Sequence, residues 1–272
     1  MTNVSALPHL WQIILCSILL FNSVQSAFEY PGHGWASGQA NIRVVGPPHP
    51  DLFRINPALL DSLSQSSIGL AHSKPFSGFD LSSSTIIGVG VVRHHPTVLT
   101  FESFGDEVYR ETTLSVGAPW PITPGFSMGM TARYSQISFD RLIVHRGLAF
   151  SPGLNLQLSE NLHIGSVLNN FVQAPQDSIL PQKFALGISY DRGPINLSAA
   201  IEKEGRLVPE LKLALLVKAR KTLAFAIGFQ ELSQTLTLGW KINIKQLEIY
   251  YTWMGHPYLP PTHGLGIQLN HL

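Results

Sequence analysis

"SQTLTLGWKINIKQLEIYYTW" occupies residues 233–253. Leu236, Leu238, Trp240 and Ile242 fall on one phase; Thr235, Thr237, Gly239 and Lys241 fall on the other. After a short break, Leu247, Ile249, Tyr251 and Trp253 oppose Glu248, Tyr250 and Thr252. A strand places successive side chains on opposite faces, so each half reads as a strand with one oily and one small or polar face.

The same rhythm runs through most of the chain. In "KFALGISY" Phe184, Leu186, Ile188 and Tyr190 oppose Ala185, Gly187 and Ser189. In "PINLSAAIEK" Ile195, Leu197, Ala199 and Ile201 oppose Asn196, Ser198, Ala200 and Glu202. Gly and Ser on the second face suit a narrow lumen, or a wall closely approached by another backbone. About fourteen such segments follow Ser66, each near the roughly 9–11 residues of a tilted membrane strand. Their expected starts are Ser66, Ser84, Pro96, Val108, Gly125, Arg146, Asn161, Lys183, Pro194, Val208, Lys221, Ser233, Lys245 and Thr262.

The breaks alternate in length. "KPFSGFDLSS", "FGDE", "SFDRLIVH", "FVQAPQDSILPQ", "KEGRL" and "MGHPYLPP" are the longer set, and "HH", "SE", "DRG", "AR" and "NI" the tight set. "PWPITP" reads as a long exception among the tight ones, and the break near Glu231 as a short exception among the long ones. Long loops on one rim and tight turns on the other describe an all-β, antiparallel transmembrane barrel with an even strand count. The expected division is residues 1–26 as signal peptide, 27–65 as lead-in and helical plug, and 66–272 as barrel.

Composition agrees. Charged residues make up 13% of the 272, the hydrophobic share is 44%, and mean hydropathy is +0.15. No stretch beyond the N-terminus approaches the roughly 20 apolar residues of a spanning helix. A net charge of +1 gives no electrostatic footprint for nucleic acid. "LWQIILCSILLF" followed by "NSVQSAFEY" resembles a secretory h-region with small residues at a cleavage point after Ser26 or Ala27, although the preceding residues carry no Lys or Arg. Cys16 lies inside that run, so a processed chain has no disulfide or thiolate metal site.

Ahead of the strands stands "RINPALLDSL", residues 54–63. Asn56 suits a helix cap, Pro57 its first turn, and Leu59, Leu60 and Leu63 follow at helical spacing. The Gly- and Pro-rich "EYPGHGWASGQANIRVVGPPHPDLF" before it reads as irregular periplasmic lead-in. Tyr250, Tyr251, Trp253 and Tyr258, and separately Trp120, Phe126 and Tyr134, are candidates for an interfacial aromatic girdle.

"INPALL" (Asn56, Pro57 and Ala58) resembles the Asn-Pro-Ala signature of the FadL-type and PorV/PorQ-type outer-membrane proteins. "LEIYYTWMGHPYLPPTHGLGIQLN", with His256, Pro257 and His263, resembles the closing hairpin of the PorV-like group, and "NLHIGSVLNNF" with "LPQKFALGISYD" its central strands. The resemblance runs over residues 36–270. It departs at "PPHPDLF", where relatives carry Gly and Ala, and at the final Leu272, where many barrels end on an aromatic. It implies a barrel of about fourteen strands with an N-terminal helical hatch, in a bacterial outer membrane. It also implies a non-enzymatic role docking or relaying proteins exported by a type IX secretion system, with outer-membrane lipid, secreted proteins or a translocon as partners. The alternative it carries is a FadL-like conduit for hydrophobic small molecules. A conduit needs an apolar pocket beside the plug and a path out; a docking protein needs neither.

Other chemistry is thinly supported. His94 and His95 are adjacent and point to opposite faces of a strand, and His256 and His263 flank one loop, where a structural role outweighs ligation; no metal site or cofactor is expected. There is no Gly-x-Ser-x-Gly and no phosphate loop, so Ser135 or Ser166 beside His145 or His163 is no better than a chance pair. Asp80, Glu102, Asp106, Glu107, Arg110 and Glu111 read as solvated loop charge, with a partner-docking rim as the sharper alternative. Neither a small-molecule ligand nor a catalytic residue is assigned.

Overall fold

The computed structural model describes residues 34–63, 65–92, 95–140, 142–174 and 180–270. The expected signal peptide lies outside them.

Fifteen strands follow one another among the described residues: β1 (Ser67–Lys74), β2 (Ser82–Val92), β3 (His95–Gly105), β4 (Tyr109–Thr123), β5 (Phe126–Phe139), β6 (Leu142–Ser159), β7 (Leu162–Asn169), β8 (Val172–Ala174), β9 (Lys183–Arg192), β10 (Ile195–Glu204), β11 (Glu210–Arg220), β12 (Leu223–Gln230), β13 (Thr235–Ile244), β14 (Leu247–Gly255) and β15 (Thr262–Asn270). Every pairing is antiparallel between chain neighbours, except that β7 pairs β9 and the three-residue β8 lies on the upper edge of β6. The last strand closes on the first, from Ser67 opposite Asn270 to Lys74 opposite His263. The result is a closed barrel of fourteen strands, the closed form that hydrocarbon requires of a spanning sheet.

The phase read in residues 233–253 sets inside and outside. Leu238 is 42% exposed and Thr237 0%, and the same split runs along Leu236, Trp240 and Thr235. In a soluble sandwich the leucines would be the buried set; here they form the outer belt. Tight connections of two residues, such as 124–125, 160–161, 193–194, 221–222 and 245–246, mark one rim. The opposite rim carries 75–81, 205–209 and 256–261.

Two readings change. "PWPITP" is not a loop: β4 runs to Thr123, its final residues pair β5 from Thr123 opposite Phe126, and Gly125 turns the chain at φ 82. Similarly "SFDRLIVH" is almost all strand, because β4, β5 and β6 span 15, 14 and 18 residues and make a tall side of the wall. On its other edge β6 meets β7 only from Gly153 to Ser159, and β8 from Leu148 to Phe150. Between them Asn170, at φ 54, donates its N–H to Ser151 Oγ at 2.9 Å, and Gln173 Nε2 ties to Asn170 O and Leu180 O.

Candidate functional site in the barrel lumen

The N-terminal segment lies within the barrel. Residues 34–54 are buried almost throughout, so the expected periplasmic lead-in is, from Gly34 onward, lumen filling. The expected helix is reduced to short turns: a 3-10 turn at Trp35–Gln39, one α-helical turn α1 at Pro50–Phe53, and a 3-10 turn at Pro57–Ser62. Prolines at 47, 48, 50 and 57 punctuate the chain too often for a longer helix.

Asn56 is fully buried and does more than cap. Its Oδ1 accepts from Ala58 N at 3.3 Å, while its Nδ2 donates to Val44 O at 2.8 Å and to Leu154 O of β6 at 3.0 Å. Pro57 and Ala58 pack beside it, and Ser127 Oγ of β5 donates to Ala58 O at 2.7 Å. The wall leaves space for this backbone through inward glycines: a Cβ on Gly165 would collide with Val44 O, and one on Gly153 with Asn56 Oδ1. Apolar contacts complete the fit, with Leu52, Phe53 and Leu60 against Ile87, Val89 and Val98, and Ile42, Val44 and Val45 against Val167, Ala185 and Ala200.

Charge ties the segment to two parts of the wall. Asp51 is its hub: Oδ2 accepts from Ala36 N at 2.9 Å, Oδ1 accepts from Arg54 Nε at 2.8 Å, and Arg43 Nε stands 3.9 Å away. Burial by itself would push the Asp51 carboxyl up, but the Arg43 and Arg54 charges outweigh it and hold that carboxyl below the usual range. Burial, with the like charge of Arg54, lowers Arg43 to about 10, which leaves it cationic at neutral pH. Arg54 Nη1 also pairs with Glu102 of β3. Four strands round the wall from β3, Glu248 of β14 meets His49 Nε2 at 2.9 Å and Lys241 Nζ of β13 at 2.9 Å, and Lys241 lies 4.9 Å from the Trp35 ring centre.

Two cavities end on the segment from opposite rims. One, of about 540 Å³, lies toward the longer loops and is lined by Arg43, Arg54 and Ile55 with Glu102, Arg133, Glu202 and Lys212 of the wall. The other, of about 500 Å³, lies toward the tight turns, between Trp35, Pro47 and Pro48 and the wall residues Lys218, Arg220 and Lys241.

The other singled-out residues separate. His256 and His263 do not meet: His256 Nε2 is 3.3 Å from Thr262 Oγ1 at the loop rim, and His263 Nδ1 is 2.6 Å from Tyr251 OH on the outer face. Burial pushes His256 down. Pro257 lies in the loop between them. Among the residues read as loop charge, Asp106 does cap a turn, accepting from Val108 N at 2.8 Å and Tyr109 N at 2.7 Å. Glu102 and Glu111 instead face the lumen, Glu111 accepting from Tyr109 OH at 2.6 Å. Tyr250 is no girdle residue; it is 5% exposed and packs against Trp35 and His49, while Tyr251 stacks on Trp240 outside. Ser135 bonds Thr113 across the inner wall at 3.1 Å. Among the described residues no three His, Cys, Asp or Glu side chains gather as a metal site. His94 lies outside the described residues.

Sequence reading missed Arg43, His49, Asp51, Arg54 and Glu248. The available signal was a charge on the small-residue phase of a strand, as with Glu248 between Leu247 and Ile249.

A closed antiparallel barrel, oily outside and polar within, is an outer-membrane barrel fold. Among solved structures, the toluene transporter TbuX of Ralstonia pickettii superposes with a TM-score of 0.67 at 12% identity, covering 90% of this chain and 100% of that one. The outer membrane protein Omp33 of Acinetobacter baumannii gives 0.53 at 8% identity, covering 75% of this chain and 97% of its own. At these identities the likeness is one of fold. No family model and no curated protein matches the sequence.

Proposed function

We propose that this chain is a plugged conduit of a bacterial outer membrane, passing small molecules when its inner segment shifts. The observation that carries this reading is the pair of cavities reaching the same segment from opposite rims, with that segment held by side-chain ties and apolar packing rather than by the strand ladder. The TbuX likeness supports a transport role at the level of fold, and a toluene-like cargo belongs to that protein alone. Here the larger cavity mixes Ile55, Phe104, Leu207 and Met254 with acidic and basic groups, so a plain hydrocarbon suits it less well than a small polar or amphipathic molecule.

Small-solute uptake into liposomes carrying the purified barrel tests the reading. The wild type should be nearly closed, and Arg54→Ala with Glu248→Gln should raise uptake several-fold while the barrel still migrates as a folded species. Equal uptake by both would remove the conduit.

A second reading is the docking role for exported proteins that the PorV/PorQ resemblance implies. It is favoured by apolar groups on the loop rim, where Tyr258 is 92%, Val208 67% and Leu207 61% exposed. Recovery of secreted proteins or a translocon on the solubilised barrel, lost on Tyr258→Ser with Val208→Ser, would favour docking.

A further inference from the structure

Arg133 sits on the inward face of β5, between Thr131 and Ser135, and lines the larger cavity. Its Nε is buried without a hydrogen-bond partner, and its Nη1 reaches only Asn170 Oδ1, at 3.4 Å. The other lining cations among the described residues are matched: Arg54 by Glu102 and Asp51, Arg43 by Asp51, Lys212 by Glu202, Lys183 by Glu204. No carboxylate among the described residues stands within ion-pair distance of Arg133. A buried charge without a partner is costly and is retained where something else supplies the missing charge.

We propose that Arg133 is the anchor of a binding site for a small organic carboxylate. With Nη1 turned to Asn170, the edge formed by Nε and Nη2 has no hydrogen-bond partner among the described residues, and two parallel N–H groups match the two oxygens of a carboxylate. The surroundings favour a single negative charge. Among the described residues the lining sets Arg43, Arg54, Arg133, Lys183 and Lys212 against Glu102, Glu111, Glu202, Glu204 and Glu210, so there is no surplus of positive charge to reward a ligand that carries more than one negative charge. A dianion such as sulfate brings a second negative charge toward Glu102, which lines the same cavity. Asn169 Oδ1 and Gln230 Nε2, on residues of the same cavity wall, are also buried without partners. The site rests on the conduit reading for its role as a substrate station, but its occupancy does not require the inner segment to move.

The test is equilibrium dialysis of the detergent-solubilised full chain with benzoate and with benzamide, its uncharged counterpart of equal shape. Benzoate should bind at least tenfold more tightly. Arg133→Gln should abolish that preference with the thermal unfolding midpoint little changed, and Arg133→Lys should keep a weaker preference, because an ammonium cannot form the paired contact. Acetate should displace benzoate better than sulfate does. Equal binding of benzoate and benzamide by the wild type, a preference that survives in Arg133→Gln, or sulfate competing as well as acetate would overturn the proposal. If Arg133→Gln fails to assemble, the wild-type comparison and Arg133→Lys decide it. Dialysis reads binding and liposome uptake reads flux, so the site and the conduit can fail separately.

Discussion

His49 Nε2 lies 2.9 Å from Glu248 Oε1, joining the turn ahead of α1 to the inner face of β14. The contact links residues 199 positions apart, and Lys241 Nζ holds the other carboxylate oxygen at 2.9 Å. One wall carboxylate therefore fixes both the segment and a neighbouring strand. Glu248→Gln keeps the shape and removes the charge. It should cost about 1.5–3 kcal/mol of local stability, the usual worth of a hydrogen bond to a charged group. Faster proteolysis near residues 46–50, with the barrel intact, is the expected reading; unchanged proteolysis would remove this tie from the account.

Asn56→Ala should cost more than an ordinary cap. Loss of the cap accounts for about 0.5–2 kcal/mol. The Val44 and Leu154 carbonyls also lose their donor inside the lumen, each at about 1–3 kcal/mol if water does not reach it. Asn56→Asp should be worse still, since it sets a carboxylate against both carbonyl oxygens. Hydrogen exchange at the inner segment ranks the two, and the reverse order would contradict the bonding described.

Gly165→Ala and Gly88→Ala form a matched pair. A methyl at Gly165 meets Val44 O, whereas a methyl at Gly88 meets nothing within 4 Å. The first should destabilise by about 1–3 kcal/mol through overpacking, with the inner segment displaced, and the second should be nearly silent. Thermal unfolding of both in detergent checks the contrast.

The Asp51 hub predicts tolerance of acid. Its carboxyl is depressed in the folded state, so its stabilisation is complete above the ordinary carboxylate value and is lost only as pH falls through the lower folded one. Uptake by the wild type should therefore be as low at pH 5 as at pH 7. A leak opening between those values would mean that another group holds the segment.

The barrel was legible because its signal is local. Period-two alternation placed the starts of β1 to β5 and β7 to β15, the small β8 aside, within about two residues, and β6 within about four. Proline misled at "PWPITP", since it is rare inside a sheet, yet Pro119 and Pro121 pair within β4 and β5. The inner site was not legible, because it consists of contacts between distant residues. Nothing near Arg54 announces Glu102, and nothing near His49 announces Glu248. The inward glycines did hint at a close backbone, but not at which segment fills the space. Val44 and Ala40, in what reads as irregular lead-in, share that role with Ala58.

The most direct measurement is a reversible lock. A Cβ at Gly187 of β9 would stand 2.7 Å from Val44 Cγ1, so cysteines at Val44 and Gly187 bring a thiol on the inner segment next to one on the wall. Placed in the Glu248→Gln background and reconstituted in liposomes, this pair should block small-solute uptake when oxidised and restore it when reduced. Uptake that is the same in both states, with the disulfide shown to form, would mean that the inner segment does not gate the lumen.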